Sequence, residues 1–262
     1  MKKLLSIALS AAMLSSAMLL ASCGGSSAPQ EADVPAENTG SELIMATNAQ
    51  FPPYEFYEGS NIVGIDAEIG AAIAEKLGKT LKIEDVEFDS VLAGVQAGKY
   101  DVGLAGITVT EDRLQSMDFS DSYATGIQSI IVKEGSPITS VDDLAAEGAT
   151  YVVGVQLSTT GDIYATDDFG SDRVQQVQTG ADAVAALNTD RVDCVIIDNE
   201  PAKSFVAANT GLQILDTAYA EEEYAICMAK GSELLADINA AIAELKADGT
   251  IDSILEKYIP AE

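Results

Sequence analysis

Four short segments of this 262-residue chain place groups able to do chemistry at the ends of apolar runs. The first is Asn48-Ala49-Gln50-Phe51-Pro52-Pro53-Tyr54-Glu55-Phe56, which follows the run Leu43–Thr47. Its two prolines forbid a continuing strand or helix. Phe51, Tyr54 and Phe56 are therefore expected on a loop at a strand's C-terminal end, the edge where open α/β sheets bind ligands. The same rings could equally cap a core. The second segment runs Ala105-Gly106-Ile107-Thr108-Val109-Thr110-Glu111-Asp112-Arg113. Thr110 is suited to cap a short helix that opens on Glu111 and Asp112. The N–H groups of such a turn suit an anion, and Arg113 can grip a carboxylate through two N–H bonds. The alternative is a surface arginine paired with one of many acids. The third segment, Val153 to Gly161, offers Gln156, Ser158, Thr159 and Thr160, hydroxyls and turn amides that favour an anion but are also ordinary helix caps. In the fourth, Val195 to Pro201, Asp198 can accept hydrogen bonds from an ammonium. Equally, Asp198 or Asn199 can cap a helix beginning near Pro201.

The remaining composition narrows the chemistry. There is no His, there are three Cys, and 14 Lys and Arg stand against 42 Asp and Glu, a formal net charge of −28. Without His there is no Ser-His-Asp triad and no His-ligated zinc or iron. Three dispersed Cys cannot form a four-thiolate site, so no metal and no cofactor is expected. The negative charge argues against nucleic acid and anionic lipid as partners. With 47% hydrophobic residues the chain can build real cores.

Elements able to position these groups recur from Glu42 onward. Strands are expected at 43–47, 101–105, 128–132, 151–155, 192–197, 213–215 and 224–228. Ile65, Ile69, Ile73 and Leu77 recur every four residues before Gly78, a helix with a glycine just past its end. Ser140 with Asp143 resembles a capping box. Ala181 to Leu187 forms a further helix ending near Asn188, and Leu234, Leu235, Ile238, Ile242 and Leu245 stripe another that stops at Gly249. Strands alternating with helices predict an α/β architecture with largely parallel sheets.

The N-terminus reads as an address. Lys2 and Lys3 precede an apolar stretch from Leu4 to Leu20, and Leu20-Ala21-Ser22-Cys23 resembles a bacterial lipobox. Residues 1–22 are expected to be a lipoprotein signal peptide, with Cys23 lipidated; an ordinary signal peptide is the alternative. Residues 23–41, rich in Gly, Ser, Pro and acid, are expected to form a flexible tether reaching on the order of 23 Å.

Taken together, the four segments, with Gly64-Ile65-Asp66-Ala67-Glu68-Ile69 and Asp118-Phe119-Ser120, resemble the polar amino-acid class of bacterial extracellular solute-binding proteins (family 3), over about residues 42–260. The resemblance implies a type II periplasmic-binding-protein fold of two lobes, each a mixed, mostly parallel sheet flanked by helices, joined by two hinge strands. Lobe one would be residues 42–123 plus 224–262, and lobe two residues 124–223. It implies that Arg113 clamps a ligand carboxylate, helped by N–H groups near Thr108 and Thr160. Asp198 would receive the ammonium with Thr108 and the carbonyl of Ala105 or Gly106, and Phe51 and Phe88 would sandwich the side chain. Asn48, Gln156 and Thr159 complete the expected ligand-binding set. The implied partners are a free L-amino acid, an ABC permease and its ATPase, for a monomer anchored to the outer face of the membrane by lipid only. Family members often have Gly-Thr-Thr where this chain has Ser158-Thr159-Thr160. The neutral Asn48 and Gln156 favour a neutral polar ligand such as glutamine. Arginine is the alternative, with its guanidinium stacked on Phe51 and Phe88 and met by an acid such as Glu55. Sensing through a receptor, and a dehydratase-like enzyme on the same fold, are rival uses. Cys194 and Cys227 are expected to be separate buried thiols.

Overall fold

The structure, a computed structural model, describes residues 41–216 and 218–260. The signal peptide, Cys23 and the tether up to Gly40 lie outside the described residues.

The chain opens with β1 (Glu42–Thr47), whose inward Leu43 and Met45 are buried. A small antiparallel sheet follows: β2 (Gln50–Phe51), β3 (Glu55–Glu58) and β4 (Asn61–Val63). Here the expected loop is instead a hairpin, with Pro52 and Pro53 confined to its turn and Phe51 on a strand. The prolines end β2 after two residues, but they do not prevent the chain from folding back on itself.

Next comes α1 (Ile65–Lys76), with Ile65, Ile69 and Ile73 buried in one stripe and Gly78 left-handed just past its end. Then follow β5 (Thr80–Asp85), α2 (Phe88–Gln96), β6 (Val102–Gly103), α3 (Glu111–Ser116) and β7 (Met117–Phe119). These strands form one sheet in the order β5-β1-β6, all parallel. Beyond β6 it is completed by β14 (Cys227–Ala229), antiparallel to both β6 and β7.

A second sheet is built around the long β8 (Ala124–Lys133). After α4 (Val141–Ala145) come β9 (Val153–Gln156), α5 (Thr160–Phe169), β10 (Val174–Val177), α6 (Gly180–Asn188), β11 (Cys194–Asp198), α7 (Asn199–Ala208), β12 (Leu212–Ile214) and β13 (Ala220–Tyr224). Strands β10, β9 and β11 are parallel, whereas β8 runs antiparallel to β11, β12 and β13. The C-terminal helices α8 (Leu235–Ala247) and α9 (Thr250–Tyr258) return to pack on α1 beside the first sheet.

The chain passes between the sheets twice, before β8 and after β13. These crossings are joined: β13 pairs with the first half of β8, and the Tyr123 N–H donates to the Tyr224 carbonyl at 2.9 Å. The strand expected at 224–228 is therefore two strands of different sheets, broken at Ala225 and Ile226 where the chain crosses. Gly126 lets the crossings lie close, since a Cβ there would sit 2.3 Å from the Tyr224 hydroxyl.

Ser140 and Asp143 form the expected capping box. Cys194 and Cys227 are free and buried, one in each large sheet. Among the described residues no helix is long and apolar enough to cross a membrane. Ile69 is fully buried in the core that joins α1 to the first sheet. Ile69→Ala should therefore lower stability by about 2–5 kcal/mol in urea unfolding; a change under about 0.5 kcal/mol would contradict this packing.

Candidate functional site

Strands β1, β6, β9 and β11 all end, at their C-terminal edges, on one narrow cavity. The structure brings all eleven expected residues to its wall: Asn48, Phe51, Phe88, Ala105, Gly106, Thr108, Arg113, Gln156, Thr159, Thr160 and Asp198, with Glu55 as a twelfth. Connections at strand ends carry the polar groups, because the strands themselves are committed to the cores.

Arg113 stands on α3, whose start is fixed by Thr110: the Thr110 hydroxyl accepts the Arg113 N–H at 3.2 Å. The guanidinium is buried and lies 5.7 Å from the centre of the Phe88 ring. It donates to the carbonyls of Thr108 at 2.8 Å and Ser158 at 3.0 Å. Among the described residues its hydrogen bonds thus go to dipoles rather than to a carboxylate. A buried cation held that way makes no direct ion pair; Glu222 and Asp198 act on it only across space. Ser158 reaches it by adopting a left-handed backbone, φ 66°. Beside it the Thr159 hydroxyl caps α5, which places Thr160 in the helix's first turn, where N–H groups have no intrahelical acceptor.

Asp198 ends β11 and is also buried. It occupies the cap position of α7, yet its side chain makes no capping bond. Instead it accepts from Gln128 Nε2 at 2.8 Å and from the Tyr224 hydroxyl. The same Gln128 nitrogen reaches Glu222 at 3.1 Å, and the Thr108 hydroxyl donates to Glu222 at 2.9 Å. Burial, followed by the neighbouring Glu222 charge, pushes the Asp198 carboxyl well above its usual range.

Sequence reasoning missed Glu222 and Gln128. Glu221-Glu222-Glu223 reads as a solvated charge run, but in β13 only the middle acid turns inward with Tyr224. The signal available was the period-two alternation that puts Glu222 and Tyr224 on one face.

The cavity wall continues with paired amides. Gln156 Nε2 donates to Asn48 Oδ1 at 3.0 Å, and Asn48 Nδ2 donates to the Val86 carbonyl at 2.9 Å. Phe51 stacks on Tyr54, whose ring meets Tyr224 edge-on. Gly106 is left-handed, φ 54°, and a Cβ there would lie 2.9 Å from the Phe51 ring. Its N–H donates to Asp66 at 2.8 Å. Among the described residues no cluster of His, Cys, Asp and Glu could hold a metal ion.

Residues 43–261 match the bacterial extracellular solute-binding proteins, family 3. The chain belongs to this family. It is 34% identical over 236 residues to the arginine-binding extracellular protein ArtP of Bacillus subtilis (strain 168), covering 86% of this chain and 91% of that protein. Among solved structures it resembles the arginine-, lysine-, histidine-binding protein ArtJ from Geobacillus stearothermophilus. That match has TM-score 0.79 and 32% identity, over 84% of this chain and 96% of the other. An ancestral arginine-binding protein bound to glutamine matches with TM-score 0.78 and 37% identity, over 84% and 98%. The close relatives it matches are solute-binding proteins rather than enzymes.

Two acids of the cavity wall and one behind it are raised in the folded state: Glu55 and Asp198 well above the usual range, and Asp66 to about 6, each mainly by burial. A carboxyl whose folded pKa is raised binds its proton more tightly folded than unfolded. Stability is therefore lost as pH rises from the unfolded value near 4 through the raised one. For Asp66 alone the loss is on the order of 3 kcal/mol. Urea midpoints of the ligand-free protein should fall between about pH 5 and pH 7.5, and Asp66→Asn should flatten that fall. A midpoint that rises over this window would refute the assignment.

Proposed function

We propose that this protein is the amino-acid-binding component of an ABC importer. It captures a free L-amino acid as a single copy and delivers it to a membrane permease driven by an ATPase. Lipid on Cys23 and the 23–41 tether hold it to the outer face of the cell membrane; Leu20-Ala21-Ser22-Cys23 supports that anchoring.

One observation carries the reading. Arg113, a buried cation bonded among the described residues only to carbonyls, and Asp198, a buried acid crowded by Glu222, line one cavity from elements beside different sheets. An α-amino acid bears a negative and a positive group on one carbon, and answers both demands at once. Its carboxylate meets Arg113 and the first turn of α5; its ammonium meets Asp198, Glu222 and the Thr108 hydroxyl. We divide the molecule into lobes at 123/124 and 223/224. Neither lobe then satisfies the zwitterion alone, so ligand favours the closed form through contacts the open form lacks. A permease can read that closure.

The side chain extends between Phe51 and Phe88. The cavity holds more acid than base, Asp198 and Glu55 against the single Arg113, which favours a cationic side chain such as arginine. The relatives that bind arginine support this choice. The neutral amide pair of Asn48 and Gln156 supports glutamine as a second reading.

Calorimetry against the twenty amino acids should find binding for one or a few, with arginine foremost. Arg113→Ala should weaken it by about 100-fold or more, on the order of 3 kcal/mol, with an unchanged circular dichroism spectrum. Undiminished affinity in that variant would overturn the carboxylate clamp.

A further inference from the structure

Behind the amino-acid site lies a pair of acids to which the zwitterion gives no role. Glu55 on β3 and Asp66 in the first turn of α1 are both completely buried. Among the described residues no N–H or hydroxyl donor reaches either oxygen of Glu55, nor Oδ1 of Asp66; the other Asp66 oxygen accepts the Gly106 N–H. Each carboxyl feels the other, and Asp66 also feels the Tyr123 hydroxyl. Buried carboxylate oxygens that no donor reaches are held far more cheaply with a proton than without one.

The surroundings press the same way. The groups acting on Glu55 are Asp66 from α1, Asp198 from β11 and Asp85 from β5. Tyr54, beside it in the chain, and Tyr123, between β7 and β8, feel both acids and are themselves pushed up. The cation on the cavity, Arg113, spends its bonds on Thr108 and Ser158. Buried like charges placed together cannot both ionise without a counter-charge. Glu55, however, is also cavity wall, so a ligand can supply one.

We infer that Glu55 and Asp66 hold one proton between them in the free protein, and that an amino acid with a cationic side chain expels this proton on binding whereas a neutral one leaves it in place. The charges balance. The free pair carries one negative charge; on binding, the ligand brings one extra positive charge to the pair, a proton leaves to water, and the pair becomes doubly negative beside the cation. Expulsion rests on the amino-acid-binding reading above; the shared proton of the free protein does not. The free pair binds a proton that the complex lacks. Affinity for a cationic ligand therefore rises with pH, by up to about tenfold per pH unit, until the pair ionises unaided. Affinity for a neutral ligand stays level over the same range.

The test is calorimetry of the full chain with L-arginine and with L-glutamine at about pH 7, in two buffers of different ionisation enthalpy. Arginine should release about one proton and glutamine none. Glu55→Gln should abolish the release, as should Asp66→Asn if the first variant fails to fold. Arginine heats that are identical in both buffers would overturn the inference, as would binding of glutamine with no binding of arginine. If neither amino acid binds, the proposed function falls instead. Carbon-13 NMR of the ligand-free protein then still decides the shared proton. One of the two carboxyls should titrate at or above about pH 6; both titrating near pH 4, the ordinary carboxylate range, would overturn it.

Discussion

A guanidinium buried without a carboxylate hydrogen-bonded to it among the described residues is the constraint around which this structure is organised. Removing Arg113 from water is expensive, and the two carbonyls that hold it lower the cost without cancelling the charge. The surrounding elements serve to keep that cation in place and aimed. Thr110 caps α3, the Phe88 ring lies against the guanidinium, and Ser158 takes a left-handed backbone to present its carbonyl. Across the same cavity, Asp198 and Glu222 form the opposite imbalance, two acids sharing the Gln128 amide. Among the described residues, one side carries a cation without a direct carboxylate partner and the other carries two acids without a direct cation, so the two imbalances have opposite sign.

The fold makes this arrangement nearly automatic. Parallel strands deliver their C-terminal ends to one edge, and each large sheet contributes two such ends to the cavity. The two crossings, held together by pairing of β13 with β8, bring both edges to face one another. Tyr224 ties this region to the site, because it sits at a crossing and its hydroxyl reaches Asp198. A shift in the crossing strands is thereby coupled to the orientation of a cavity acid. Glu55 and Asp66 add a second tie, since Asp66 holds the Gly106 N–H while Glu55 reaches the cavity wall.

Much of this was legible before any coordinates. Thr110, the Ser140–Asp143 box and the Ile65–Ile69–Ile73 stripe are local signals, set by backbone capping and helical period, and all three form as read. Two expectations failed, for different reasons. The prolines predict a loop at Pro52–Pro53, but they sit in the turn of a short hairpin whose strands begin pairing only four residues apart. The run 224–228 is apolar throughout, yet it divides between two sheets, which no local pattern encodes.

By itself, the sequence determined the inventory: four polar segments at strand ends with one arginine among them, no His, and a large excess of acid. Those follow from residue type and spacing over ten residues or fewer. Only the tertiary structure decided which alternative each residue takes. Asp198 could cap a helix or face a cavity, and it faces the cavity because Gln128 and Tyr224, 70 and 26 residues away, supply the donors. Glu222 reads as one of three exposed acids until β13 pairs with β8 and turns it inward. Glu55 and Asp66, eleven positions apart, become a proton-sharing pair only when α1 packs behind the hairpin. Charge meeting charge depends on distance in space, and that distance is set by how distant segments pack.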